Sequence, residues 1–419
     1  MKTFITLLIV SFFSLIQNSQ LTAQNNFHIG FVQNNNSRLN HIDAYYNDML
    51  HSLEVKAIGV VELSDDDRDF KFLAENATVQ IKTRNWFTYR EVRVRGLRDG
   101  QLERTFYANG REMDWNEYGQ SWLAAELPEI ARKTGLGAAG RVQRLIAQRG
   151  VDAAINEIEF QENNYARQIF CESIMAHENL TSAQLQRTVI VTAKEISSSS
   201  RLGDLLTDAT TKFPQDSTFT LTLMRAVREI SSSSRQSETA ITIARRRGLD
   251  RESAIEMART IEDISSSSAQ KNALETLAEL APPHEEAFLA YLHAVRAVSS
   301  SSAQSEALLA LTQRTLTRDA WIQLFKVTES VSSSSAQARV LSRSAEVCPN
   351  DDMIWFTFLE TVGTVSSSSA QETALSAMLR RQGLSKSVLK RTLQCVDNSV
   401  SSSSVQRYIE GLVRDRLME

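Results

Sequence analysis

The chain has 419 residues, 42% apolar and 23% charged, a composition normal for folded soluble protein and long enough for two or three domains. A net charge of -4 leaves no basic excess, which argues against nucleic acid as a general partner, because phosphate binding relies on clustered Lys and Arg. Three cysteines, Cys171, Cys348 and Cys395, are too few and too scattered for a disulfide framework or a paired-cysteine metal motif. Buried thiols are the expectation, with a bridge between Cys348 and Cys395 left open.

Lys2, an apolar run from Phe4 to Ile16 and a small residue at Ala23 are the parts of a secretory signal peptide. The run is short for a membrane span. Residues 1–23 are therefore expected to be removed near Ala23, giving a periplasmic or secreted protein with no membrane span in the mature chain; an uncleaved anchor is the alternative. Residues 24–53 are polar and asparagine-rich and read as a lead-in.

Strand-like alternation follows through Val55, Ile58, Val60 and Val61, then Val79 and Ile81, then Phe87, Tyr89, Val92 and Val94. Asp99-Gly100 and Asn109-Gly110 tolerate the positive φ of tight turns. A small antiparallel β meander is expected over 54–114. Its acidic loop, with Asp65, Asp66, Asp67 and Asp69, offers carboxylates to a hard cation, but the spacing is not that of an alternating-ligand calcium loop and Arg68 supplies an internal counter-charge. A solvated turn is the plainer reading. Residues 115–160 turn helical through Trp122, Leu123, Leu127 and Ile130, and form a connection or cap.

Four-serine blocks then begin at Ser197, Ser231, Ser265, Ser299, Ser332, Ser366 and Ser401, at intervals of 33 to 35 residues. A constant period of this size marks stacked supersecondary units. Apolar pairs such as Ala273 with Leu274 and Leu277 with Ala278 form a helical stripe after each block. Breaks at Phe213-Pro214, Gly248, Pro282-Pro283, Cys348-Pro349 and Gly383 end that helix and start a second. The expected fold is thus α+β and mostly α: the β domain followed by an α-solenoid of about 34-residue two-helix repeats over 161–419, with units starting near 161, 197, 231, 265, 299, 332, 366 and 401.

Each block suits a helix start, with serine accepting orphan amide hydrogens and a glutamine three residues later reaching back. Ser233 with Gln236, Ser267 with Gln270, Ser301 with Gln304, Ser334 with Gln337, Ser368 with Gln371 and Ser403 with Gln406 fit this capping box. One serine suffices for a cap, and the other three have no local explanation. Arg245, Arg246 and Arg247 read as a solvated helix end. Phe288, Trp321 and Trp355 fall in register in consecutive units; they read either as core between repeats or as an exposed interaction strip.

The six histidines show no metal-ligand spacing, and there is no phosphate loop, nucleophile elbow or paired-cysteine motif. No catalytic, cofactor or metal residues are assigned, and no enzyme is expected. The repeats, a Val or Ile followed by serines entering a helix, resemble an uncharacterised family of bacterial extracytoplasmic helical repeats whose unit reads Ile-Ser-Ser-Asp-Tyr-Glu-Lys, of HEAT-like or TPR-like architecture. Leu63 to Asp69, Tyr107 to Glu112 and Trp122 to Val142 are similar to that family's upstream text. Its members stand alone or behind membrane metallopeptidase sensors. Here Ser-Ser-Ala-Gln replaces the charged part of the motif, and no peptidase segment is present, so no protease activity carries over. The resemblance implies an exported scaffold for a protein partner, with a link to envelope signalling. The alternatives are a β domain that binds a small ligand or glycan, with the solenoid as support, and an unrecognised hydrolase.

Overall fold

The computed structural model describes residues 28–29, 41–47, 50–212 and 215–418. The proposed signal peptide, most of the polar lead-in and the Phe213-Pro214 break lie outside the described residues. By contacts the chain divides into two compact units, Met1–His177 and Glu178–Glu419.

The first unit is built on an antiparallel sheet of β1 (His28–Ile29), β2 (His41–Asn47), β3 (His51–Ile58), β6 (Thr78–Asn85), β7 (Tyr89–Gly96), β8 (Leu102–Ala108) and β9 (Arg111–Met113), in that spatial order. A separately paired two-stranded sheet of β4 (Val61–Leu63) and β5 (Phe70–Leu73) packs into the same core. The stretch read as polar lead-in contains β1, β2 and the start of β3. Ile42 and Ala44 alternate inward along β2, a pattern short enough to be hidden among the surrounding asparagines.

The apolar text from Val55 to Leu63 is not one strand. Gly59, at φ +92°, separates β3 from β4, and a Cβ there would lie 2.7 Å from Ala77 Cβ. The turns at Gly100 (φ 79°) and at Asn109-Gly110 (φ 50° and 80°) use the left-handed conformations that their sequences favour. One sheet face, with Val55, Ile81, Val92 and Phe106, buries Trp122, Leu123, Leu127 and Ile130 of helix α1 (Glu117–Thr134). That helix starts on the Asn116 side chain and ends at left-handed Gly135. The unit continues through α2 (Ala138–Arg149), α3 (Val151–Asn156) and α4 (Asn164–Met175). The first repeat is thereby divided, since α4 falls in the sheet unit, where Arg141 lies 5.7 Å from the buried Phe170 ring.

The second unit is an array of helix pairs. One row comprises α6 (Ser199–Lys212), α8 (Ser233–Arg247), α10 (Ser267–Leu280), α12 (Ser301–Leu311), α14 (Ser334–Val347), α16 (Ser368–Leu379) and α18 (Ser403–Met418). The other comprises α5 (Ser182–Glu195), α7 (Ser217–Val227), α9 (Arg251–Glu262), α11 (Glu285–Arg296), α13 (Arg318–Thr328), α15 (Asp352–Thr364) and α17 (Lys386–Ser399). Each helix packs on the second helix before and after it, which is the contact pattern of a solenoid. Ala273, Leu274, Leu277 and Ala278 of α10 are fully or almost fully buried, as the apolar stripe requires.

Candidate functional site

The serine blocks are the most regular feature of the second unit, and each starts a helix one residue earlier than the capping-box reading places it. The N-cap is the second serine: Ser232, Ser266, Ser300 and Ser333 each accept from the amide three residues on, at 3.4 to 3.5 Å. Ser233, Ser267, Ser301, Ser334, Ser368 and Ser403 are therefore the first residues of their helices. The glutamines do not reach back to the caps. Gln236, Gln270, Gln304, Gln337 and Gln371 are buried. The Gln270 Nε2 donates to the Ile261 carbonyl, that of Gln337 to the Thr328 and Glu329 carbonyls, and that of Gln371 to Val362 and Ser399. Gln304 serves Val295 in the same way and adds the Ser330 hydroxyl at 2.9 Å, while Gln406 donates to Val400. Most of these carbonyls also take a backbone amide in the last turn of the preceding helix, as Ile261 does from Ile264 and Thr328 from Val331, so each glutamine adds a second hydrogen bond that ties a helix end to the next helix start.

The remaining serines form a ladder. The third hydroxyl of one block lies 2.6 to 3.0 Å from the first hydroxyl of the next in Ser199–Ser231, Ser233–Ser265, Ser267–Ser299, Ser301–Ser332, Ser334–Ser366 and Ser368–Ser401. The same third oxygen accepts a backbone N–H of the next block, as Ser199 does from Ser232 and Ser267 does from Ser300. The fourth serine sits against the second at about 3 Å in Ser266–Ser268, Ser333–Ser335, Ser367–Ser369 and Ser402–Ser404. In the blocks starting at Ser265, Ser332 and Ser366, all four positions thus have a partner. Alanine supplies no such contact, and charged side chains would crowd like charges along one row.

A second periodic device lies at the other end of the same helix row. Arg246 donates to the Thr207 carbonyl and the Thr210 hydroxyl, both at 3.1 Å, and Arg247 to the Thr210 and Asp216 carbonyls. Burial holds the Arg247 guanidinium below its ordinary pKa. This corrects the reading of the arginine run as a solvated end: two of its members grip the preceding repeat. Arg314 likewise donates to Ala278, Glu279 and Ala281, and Arg381 to Glu346 and Cys348. At the equivalent position the intervening repeats carry Leu280 and Val347, so the brace recurs in alternate units.

Phe288, Trp321 and Trp355 are only 1 to 2% exposed. They do not form a surface strip. Trp355 meets Phe358 edge-on at 5.6 Å, and Phe358 meets Phe325 at 5.4 Å, so the aromatics pack α13 against α15. Cys171, Cys348 and Cys395 are unbridged. Burial pushes the Cys348 thiol up to about 12, which makes it a poor nucleophile.

In the acidic loop the four carboxylates face different partners. Asp67 pairs with Arg141 at 2.8 Å and with Arg144, Asp69 with Arg104, and Asp65 with Lys71. The Ser64 hydroxyl, with the Arg68 amide, holds Asp66 below the ordinary carboxylate range. Beside the loop a cavity of about 180 Å³ is lined by Asp67, Arg132, Arg141, Arg144, Arg149 and Glu157, among others. In the solenoid a wider depression of about 610 Å³ runs between α10 and α12, past Glu275, Glu279, Glu306, Gln313 and Arg314. Lys271 bridges Glu275 and Glu306 at its rim.

No family model matches the chain, and no curated protein matches it. The run of paired helices is that of a helical-repeat solenoid. Among the described residues no helix is long and apolar enough to cross a membrane.

Proposed function

We propose that the protein is an exported, non-enzymatic helical-repeat scaffold that holds another protein along its solenoid. The observation that carries this reading is the depression between α10 and α12, where Glu275 and Glu279 are exposed and Glu306 half-buried on a rigid row of helices. Solenoids use such continuous surfaces for partners, and a row of carboxylates interleaved with Lys271 and Arg314 favours a polar partner segment whose charges complement both signs. The test is cross-linking in envelope extracts with a photoreactive residue at Gln313, in the parent and in Glu275→Lys/Glu279→Lys. A discrete adduct lost on charge reversal supports the scaffold. An adduct pattern indifferent to the reversal sinks it.

A second reading places ligand binding in the sheet unit, favoured by the arginine-lined cavity beside Asp67. Four guanidinium groups border a space of about 180 Å³, three of them paired with Asp67 or Glu157, and a small carboxylate or phosphate would take the place of those carboxylates. A thermal shift with such anions, abolished by Arg141→Gln, would support it over the scaffold as the primary role.

A further inference from the structure

The sheet unit carries an exposed aromatic pair that neither reading uses. The hairpin joining β6 to β7 turns through Trp86 and Phe87, which are 73% and 90% exposed. The turn itself is well built: the Asn85 carboxamide oxygen accepts from the Phe87 and Thr88 amides and the Thr88 hydroxyl, and the Asn85 amide donates to the Thr88 carbonyl. A turn held by its own hydrogen bonds does not require an aromatic pair at its tip.

Pairing places other groups at the same sheet end. His51 lies opposite Asn85, so Leu50, 56% exposed, is at the neighbouring tip. Ser52 pairs with Arg84, Arg84 with Tyr89, and Arg90 with Ala108, which in turn faces Arg111. Arg84 and Arg111 are exposed, and Arg90 leans on the Tyr118 hydroxyl. Among the described residues the charged groups in these rows are Arg84, Arg90 and Arg111, with exposed Glu112 one position farther from the tip, opposite Tyr107. Three apolar side chains thus project beyond a collar of guanidinium groups.

We infer that this hairpin tip docks the sheet unit on an anionic lipid surface, with Trp86, Phe87 and Leu50 entering the headgroup region and Arg84, Arg90 and Arg111 meeting lipid phosphates. Tryptophan and other aromatic residues favour the membrane–water interface, and a basic collar adds attraction to anionic headgroups that falls with salt. The tip is convex and ringed by polar groups, whereas a protein hot spot sits inside a broad patch that excludes water around it. This inference is independent of the scaffold reading.

The chain begun at Gln24 keeps every described residue and removes the apolar leader. It is mixed with vesicles of phosphatidylcholine alone, or containing about a third phosphatidylglycerol, a fraction chosen to give the negative surface on which basic segments act. Sedimentation with the anionic vesicles, weakening with salt, is expected. Trp122, Trp321 and Trp355 are buried and Trp115 is half-buried against the core, so quenching of tryptophan emission by brominated lipid should come chiefly from Trp86 and fall sharply in Trp86→Phe. Trp86→Ser/Phe87→Ser should bind at least about tenfold more weakly, a loss of about 1.4 kcal/mol or more, because it removes both aromatic side chains that enter the interface. Arg84→Gln/Arg111→Gln should lose the preference for anionic lipid. Circular dichroism checks that each variant is folded. No binding to either vesicle, binding unchanged in the folded serine variant, or capture of a protein at position 87 without vesicle binding would overturn the inference.

Discussion

The hydroxyl oxygens of Ser267 and Ser299 lie 2.8 Å apart, one whole repeat removed in sequence, and Ser267 also accepts the Ser300 amide at 3.3 Å. A serine at the third position of a block therefore does more than one at the first or fourth. Removing it leaves a half-buried N–H without its acceptor, whereas Ser299→Ala removes a single exposed hydroxyl. Ser267→Ala is expected to cost about 1 kcal/mol and Ser268→Ala a few tenths, with Ser266→Ala near the cap value of about 1 kcal/mol. Urea unfolding midpoints of the three variants check the order. Equal losses at Ser267 and Ser268 would contradict the ladder.

Gln337 gives a sharper case because it is buried and donates to two carbonyls, Thr328 and Glu329. Gln337→Ala deletes the donor. Gln337→Glu puts a buried carboxylate in its place, turned toward oxygen atoms, and should cost more, roughly 3 kcal/mol against 1–2 for alanine. An N-cap box would give the reverse, since glutamate caps as well as glutamine does. Thermal unfolding of the pair separates the two accounts.

The period was legible because equivalent positions in a stacked array meet equivalent neighbours, so the repeat of serine carried the architecture directly. The frame of the cap was not. Four identical residues leave its phase open, and the burial of Gln270 or Gln337 depends on a helix end that precedes the block. The ladder joins residues more than 30 positions apart and has no local signature. For Trp321 the signal was present: Trp321, Leu324, Phe325 and Thr328 follow i, i+3, i+4, i+7 spacing and are all buried. In register across repeats meant inside, not outside. Phe87 reads as strand by its alternation with Tyr89, and only the Asn85 turn lifts it, with Trp86, out of the sheet.

Glu91 supplies a pH-dependent prediction. It is 4% exposed, and although burial alone would raise its pKa, hydrogen bonds from Tyr89, Gln80 and Arg93 hold it below the ordinary glutamate value. A folded pKa depressed in this way contributes stability above the unfolded pKa, and that contribution is lost as pH falls through the folded value. Tyr89 is the mirror case. Burial first, then the bond to Glu91, raises it to about 12, so its contribution is whole below the phenol's ordinary pKa and fades as pH rises through about 12. Glu91→Gln should flatten the acid limb of stability against pH and bring the Tyr89 titration, followed by ultraviolet absorbance, back toward its ordinary range. An unchanged acid limb would show that the network contributes nothing.

The alternation of Arg246, Leu280, Arg314, Val347 and Arg381 at one repeat position makes the seams unequal. Arg314 meets the carbonyls of Ala278, Glu279 and Ala281 at 2.5 to 2.7 Å, where the C-terminus of α10 also favours a cation. A planar guanidinium serves three diverging acceptors, and an ammonium on a flexible stem does not. Arg314→Ala should therefore cost roughly 1.5–3 kcal/mol, and Arg314→Lys should recover less than half. The converse is the stronger test. Val347, 38% exposed, occupies the brace position facing the end of α12, so Val347→Arg should stabilise that seam by about 0.5–1.5 kcal/mol. Hydrogen exchange would report it as slower opening of the last turn of α12. A gain at Val347 together with a loss at Arg314 would establish the position as the brace, and a loss at both would assign Arg314 a role peculiar to its own repeat.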